Sequence, residues 1–145
     1  MAKPEDFIGT WRLVSWFLED STGKRSMPMG PHPIGLLAYT ADGFMFGTLM
    51  APERKRFAGN DPLGGSAEET HAALSTCHSY CGRYRFEDGA VVHTVEAAAF
   101  PNMVGTEQRR FYRFEGDLLT LTTPPMTRKG ASGIATLTWR RAVKN

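Results

Sequence analysis

The chain has 145 residues, of which 41% are hydrophobic and 22% charged, with a formal net charge of +2. That length suits one domain with its own core, and these fractions exclude a disordered or fibrous chain. The basic residues fall in short clusters, at Arg54–Lys55–Arg56, Arg109–Arg110 and Arg140–Arg141, which do not make the stripe that a nucleic-acid partner needs.

In chain order, the alternating and aromatic run FIGTWRLVSWFLED (7–20) predicts a first long strand. STGKRSMPMGPHP follows as a loop, broken by proline and glycine. IGLLAYT and FMFGTLM are strands joined by ADG, a hairpin signal. The segment 51–76 is the one long interruption. Its charged first part, APERKRFAGNDPLGG, reads as irregular chain, and SAEETHAALST reads as a short helix. Ser66 is placed to cap that helix, and Glu68 and Glu69 suit its first turn. Strands then resume as HSYCGRYRFE, AVVHTVEAA, EQRRFYRFE and LLTLTT, separated by DG, PNMVG and GD turns. A loop, PPMTRKGASG, precedes the last strand, IATLTWRRA.

The result is an all-β chain of eight antiparallel strands with one short helix between the third and fourth. An eight-stranded meander has two unpaired edges unless it closes. Closure removes both edges and encloses space for one small ligand. An up-and-down β-barrel spanning 1–145 as a single domain is therefore expected, with a β-sandwich as the alternative.

No apolar run approaches the ~20 residues of a membrane span, and MAKPEDF lacks the apolar segment of a secretion signal. A cytoplasmic protein without a membrane partner is expected. Cys77 and Cys81, with His71 and His78 nearby, lack the second tight ligand pair of a structural zinc site, so no metal is expected. P-loop, GxGxxG, GxSxG and HExxH patterns are absent from the sequence, so no cofactor is signalled. The oligomeric state stays open between monomer and homodimer.

GTW at 9–11 opens the first strand and WRR at 139–141 closes the last. Together they resemble the pattern of the lipocalin superfamily, also called calycins. The resemblance implies that Trp11 packs at the closed end of the barrel and that Arg140 or Arg141 covers its indole. PIGLLAYTADGFMF, YCGRYRFEDGAVVHTVE, FPNMVGTEQRR and GDLLTLTTPP resemble the bacterial and fungal lipocalin-like domain family over essentially the whole chain. That resemblance implies a small barrel with an internal pocket. It implies no single activity, because related barrels include both carriers and enzymes of secondary metabolism.

Alternation assigns the inward face. With Trp11 inside, Leu13, Ser15 and Phe17 share its face. Arg83 and Arg85 prefer water, which turns Tyr80, Gly82 and Tyr84 inward. On the next strand, Val91, His93, Val95 and Ala97 face in, because a neutral histidine is cheaper to bury than Glu96. On the strand after that, Arg110, Tyr112 and Phe114 face in, since this phase buries one arginine and the opposite phase two. Met27, Met29, Met45, Met50 and Met103 are candidates for an adaptable pocket mouth or for core filling.

The predicted ligand-binding set is Leu13, Ser15, Phe17, Tyr80, Tyr84, His93, Val95, Arg110 and Tyr112. Three functions fit it. The first is a barrel binding a small hydrophobic or aromatic molecule whose anionic or carbonyl oxygen meets Arg110. The second is a cofactor-free isomerase, cyclase or dehydratase, with His93 as acid or base and Arg110, aided by Tyr84 or Tyr112, stabilising an oxyanion. The third is a filled barrel that serves as an interaction protein. A cavity of ~300 Å³ or more with His93 and Arg110 on its wall would leave the first two in play, whereas an interior filled by Trp11, Phe17, Tyr84 and Tyr112 would favour the third. The bland alternatives are that Arg110 is satisfied by backbone, tyrosine hydroxyls or Glu107, and that His93 is a hydrogen-bonded core histidine.

Overall fold

A computed structural model of the protein describes residues 2–128 and 131–143. Among these residues, ten strands form one antiparallel sheet. They are β1 (Gly9–Asp20), β2 (Arg25–Ser26), β3 (Ile34–Tyr39), β4 (Phe44–Met50), β5 (Cys77–Glu87), β6 (Ala90–Ala98), β7 (Glu107–Glu115), β8 (Leu118–Thr122), β9 (Met126–Arg128) and β10 (Ala131–Arg141). β1 pairs with β10 from Trp11↔Arg141 to Asp20↔Gly133, which closes the sheet. The eight strands expected from sequence make the barrel, and closure rules out the sandwich. β2 and β9 are short ribbons added to β1 and β10 within segments expected to be loops. Lys129 and Gly130 of the second of those loops lie outside the described residues.

Turn chemistry follows the residues. Asp88 (φ 42°) and Gly89 (φ 76°) both take the left-handed conformation that a two-residue hairpin between twisted strands demands. The helix α1 (Ala67–Ser75) starts where Ser66 and Glu69 cap each other: Ser66 N–H donates to the Glu69 carboxylate at 2.9 Å and Glu69 N–H to Ser66 Oγ at 3.1 Å. α1 buries none of its residues.

One end of the barrel is filled. The first strand begins at Gly9, later than expected, because residues 4–6 form a 3₁₀ turn that drops Phe7 into the core. Phe7 meets Tyr39, Phe86, Tyr112 and Phe114 with ring centroids 4.9–5.3 Å apart, three of them edge-to-face and Phe86 tilted, contacts that add to simple burial. Trp11 lies beside this plug and donates Nε1–H to the Phe7 carbonyl at 2.9 Å.

The arginine that covers Trp11 is Arg141, whose guanidinium carbon sits 4.1 Å from the ring centroid. It also donates to the carbonyls of Ile8 and Asp6. Arg140 turns outward to Asp117 at 3.5 Å. Gly9 explains the GTW pattern: its φ is 127°, and a Cβ there would lie 3.0 Å from Arg141 Nη1. We expect Arg141→Ala to cost about 1–2 kcal/mol and Arg140→Ala about 0–0.5 kcal/mol, read as shifts in the urea midpoint. Equal costs would contradict the stacking assignment.

Two β-bulges reset the inward face. The β1–β10 register slips between Leu13 and Ser15, so Val14 is the extra residue and Trp16 turns inward. The β5–β6 register slips at Cys81/Gly82, opposite an extra Glu96. Ala97 therefore pairs with the outward Cys81 and does not face in as expected.

Candidate functional site

The open half of the barrel holds a cavity of about 70 Å³. This exceeds the ~10–15 Å³ that one ordered water needs but falls short of the expected ~300 Å³. The barrel is thus filled at one end and hollow at the other. Trp16, Leu37, Leu49, Leu121 and Leu137 supply most of an apolar wall. Met45 and Met126 are also on it, and their unbranched side chains can yield to a guest. None of the residues 51–76 lines the cavity.

The polar groups gather on β3, β5, β6 and β7. His93, only 2% exposed, accepts or donates at both ring nitrogens: Tyr39 Oη lies 2.7 Å from Nε2 and Tyr80 Oη 2.7 Å from Nδ1. Burial, helped by the Arg110 charge, lowers its pKa to about 3, so the imidazole is neutral at pH 7. Burial raises the Tyr39 phenol well above its usual range. Burial also raises Tyr80, against the opposing effect of the Arg110 guanidinium, which hydrogen-bonds its hydroxyl. Both phenols therefore keep their protons.

Arg110 reaches the site as expected, half-buried on the wall. Its Nη1 donates to the Arg109 carbonyl at 2.9 Å, and Nη2 lies 3.4 Å from the Gln108 side-chain oxygen. No carboxylate lines the cavity among the described residues. Glu107 instead pairs with Arg85 at 3.0 Å, and Arg109 with Glu87, on the outer face. The apolar strand pair thus carries two arginine populations, one in a solvated ion-pair network and one aimed inward. Trp139 lines the cavity, and its indole N–H is buried with no hydrogen-bond partner among the described residues.

Of the predicted ligand-binding residues, Tyr80, His93 and Arg110 meet at the cavity. Tyr84 faces inward, but its hydroxyl donates to the Thr40 carbonyl at 2.7 Å, away from His93. Tyr112 belongs to the Phe7 plug, and Leu13 packs on the core without reaching the cavity. Val95 is buried yet off the wall. Ser15 and Phe17 lie on the outer face, displaced by the Val14 bulge; the Arg25 guanidinium sits 5.8 Å from the Phe17 ring. The sequence reading missed Tyr39, Trp16 and Trp139. Tyr39 was within reach, since Leu37 and Tyr39 alternate on β3 and Leu37 pairs with Trp11. Nothing in the sequence marks the bulge that admits Trp16.

A closed eight-stranded antiparallel barrel with a mostly apolar internal cavity and a few convergent donors defines the small-molecule-binding class of barrels. The lipocalin-like domain family matches residues 8–142. A relative from Aspergillus oryzae, the 4'-hydroxy-3'-methoxypropiophenone carrier protein, is 33% identical over 106 residues, covering 67% of this chain and 96% of the relative. The chain belongs to the lipocalin-like domain family. No helix among the described residues is long and apolar enough to cross a membrane.

Proposed function

We propose that the barrel carries a small aromatic molecule with one carbonyl or phenolate oxygen, the ring in the apolar part of the cavity and the oxygen at Arg110. The observation that carries this reading is Arg110 on the wall with no carboxylate beside it. Its protein partners are neutral oxygens, so an anionic or strongly dipolar guest adds an interaction that those partners do not supply. The Aspergillus oryzae relative is named as a carrier of an aromatic ketone, which supports the same ligand class and a carrier role in secondary metabolism. Catalysis through His93 as acid or base has less support. Both ring nitrogens are occupied by tyrosine hydroxyls, and a group with a pKa of about 3 is a weak base.

Two of the three tryptophans, Trp16 and Trp139, line the cavity, so titration with propiophenone should change the intrinsic fluorescence. Arg110→Met should weaken binding by roughly tenfold or more. Gly47→Val supplies a second control. A Cβ at Gly47 meets Leu37 Cδ1 at an ordinary 3.5 Å, valine favours strands, and its methyls enter the cavity. Binding should be lost while the urea midpoint changes little. Undiminished affinity in both variants would overturn the proposal.

A further inference from the structure

The Tyr39–His93–Tyr80 chain contains more protons than it can use internally. A neutral imidazole carries one N–H, and each phenol carries one O–H. Two hydrogen bonds join the three side chains, so two protons are spent and one is left over. It must sit at one end of the chain.

If Nε2 carried the imidazole proton, Tyr39 would accept it and its own O–H would need another acceptor. Tyr39 is 1% exposed and has no other hydrogen-bond partner among the described residues. A stranded buried donor is costly. If Nε2 is bare, Tyr39 donates to it and is satisfied. Nδ1–H then donates to Tyr80 Oη, beside the Arg110 guanidinium. The Tyr80 proton is left over, and Tyr80 is on the cavity wall. No carbonyl or carboxylate of the described residues accepts from it.

We propose that the Tyr80 hydroxyl points its proton into the cavity, and that Tyr80 and Arg110 together present donors only, selecting a carbonyl or other acceptor-only oxygen over an alcohol. This selectivity rests on the binding reading above and deepens it. A carbonyl oxygen accepts from these donors and brings no proton of its own. An alcohol brings a proton that the Arg110 guanidinium cannot accept and that the Tyr80 oxygen, already accepting from Nδ1–H, is poorly placed to take. Thr48 and His78 are further polar side chains on the wall, and Thr48 Oγ1 lies 3.0 Å from Ser79 Oγ. Thr123 is engaged elsewhere: its Oγ1 accepts from Ala135 N–H at 3.0 Å and lies 3.6 Å from Met126 Sδ. Tyr39 and His93 act through Tyr80 and are positioning residues.

Two measurements test this. Long-range ¹H–¹⁵N correlation on the ¹⁵N-labelled wild-type chain reads which nitrogen of His93 is protonated, the resonance being assigned by its absence in His93→Gln. Protonated Nδ1 with bare Nε2 is expected, and a proton on Nε2 would overturn the proposal whatever binds. Acetophenone and 1-phenylethanol, two probes of nearly equal size, should differ by about tenfold or more in affinity for the wild type, the ketone being tighter. Tyr80→Phe should shrink that preference. Equal affinities would sink the selectivity while leaving binding intact. If neither probe binds, the carrier reading itself fails and the selectivity falls with it.

Discussion

Acidification from pH 6.5 to pH 5 should weaken the barrel through His93. In the unfolded chain an imidazole takes up a proton near its ordinary 6.5, whereas in the fold burial holds that step down to about 3. Unfolding therefore absorbs a proton between those values. The stabilisation is fully present above pH 6.5, declines as pH falls towards 3, and has a limiting slope of about 1.4 kcal/mol per pH unit. Over the whole window the loss could reach about 5 kcal/mol. Between pH 6.5 and 5 most carboxylates stay charged in both states, so the slope there isolates the histidines. Urea midpoints across this window should fall steeply for the wild type and distinctly less for His93→Gln. Parallel slopes would mean that His93 is protonated, or reachable by water, in the fold.

Gly82→Ala should cost roughly 3 kcal/mol or more, or prevent folding. A Cβ at Gly82 would lie 1.9 Å from the Thr94 carbonyl oxygen and 3.0 Å from Glu96 N. These are backbone atoms of the bulge on β6, so no side chain can swing aside to make room. The same bulge follows His93 by only a few residues, so any variant that folds should bind ligand poorly. Thermal melting of Gly82→Ala beside Gly47→Ala checks the argument. Gly47 also faces inward, but an added Cβ there meets only ordinary contacts of 3.5 Å and 3.8 Å. Similar melting temperatures for the two variants would contradict the close approach.

Much of the fold was legible because its signals are local. The DG and ADG turns, the period-two strands and the Ser66–Glu69 cap each act over a few residues, and each formed where the sequence placed it. Arg110 and His93 were legible for a different reason. Burying two arginines, or a carboxylate, costs more than burying one arginine or a neutral imidazole, and that cost chose the phase of β6 and β7. The bulges were not legible. An extra residue at Val14 or Glu96 has no distinctive side chain, yet it turns every later residue of its strand to the other face. That is why Ser15 and Phe17 gave way to Trp16. Of the two tyrosines that hold His93, Tyr39 reaches across the barrel from β3 to β6, and Tyr80 lies on the adjacent β5 but opposite Ala98, not opposite His93. Tyr84, the direct strand partner of His93, looked the better candidate and is instead tied to Thr40. The plug at the closed end was hidden too, since Phe7 reads as the first residue of a strand until the chain turns at residues 4–6.

The decisive measurement is a crystal structure of the protein grown with acetophenone. The ring should lie in the open half of the barrel against Trp16 and Met45, with its oxygen ~3 Å from Arg110 or Tyr80. A cavity holding only water or collapsed side chains, while the probe sits outside the barrel, would contradict a ligand-carrying interior.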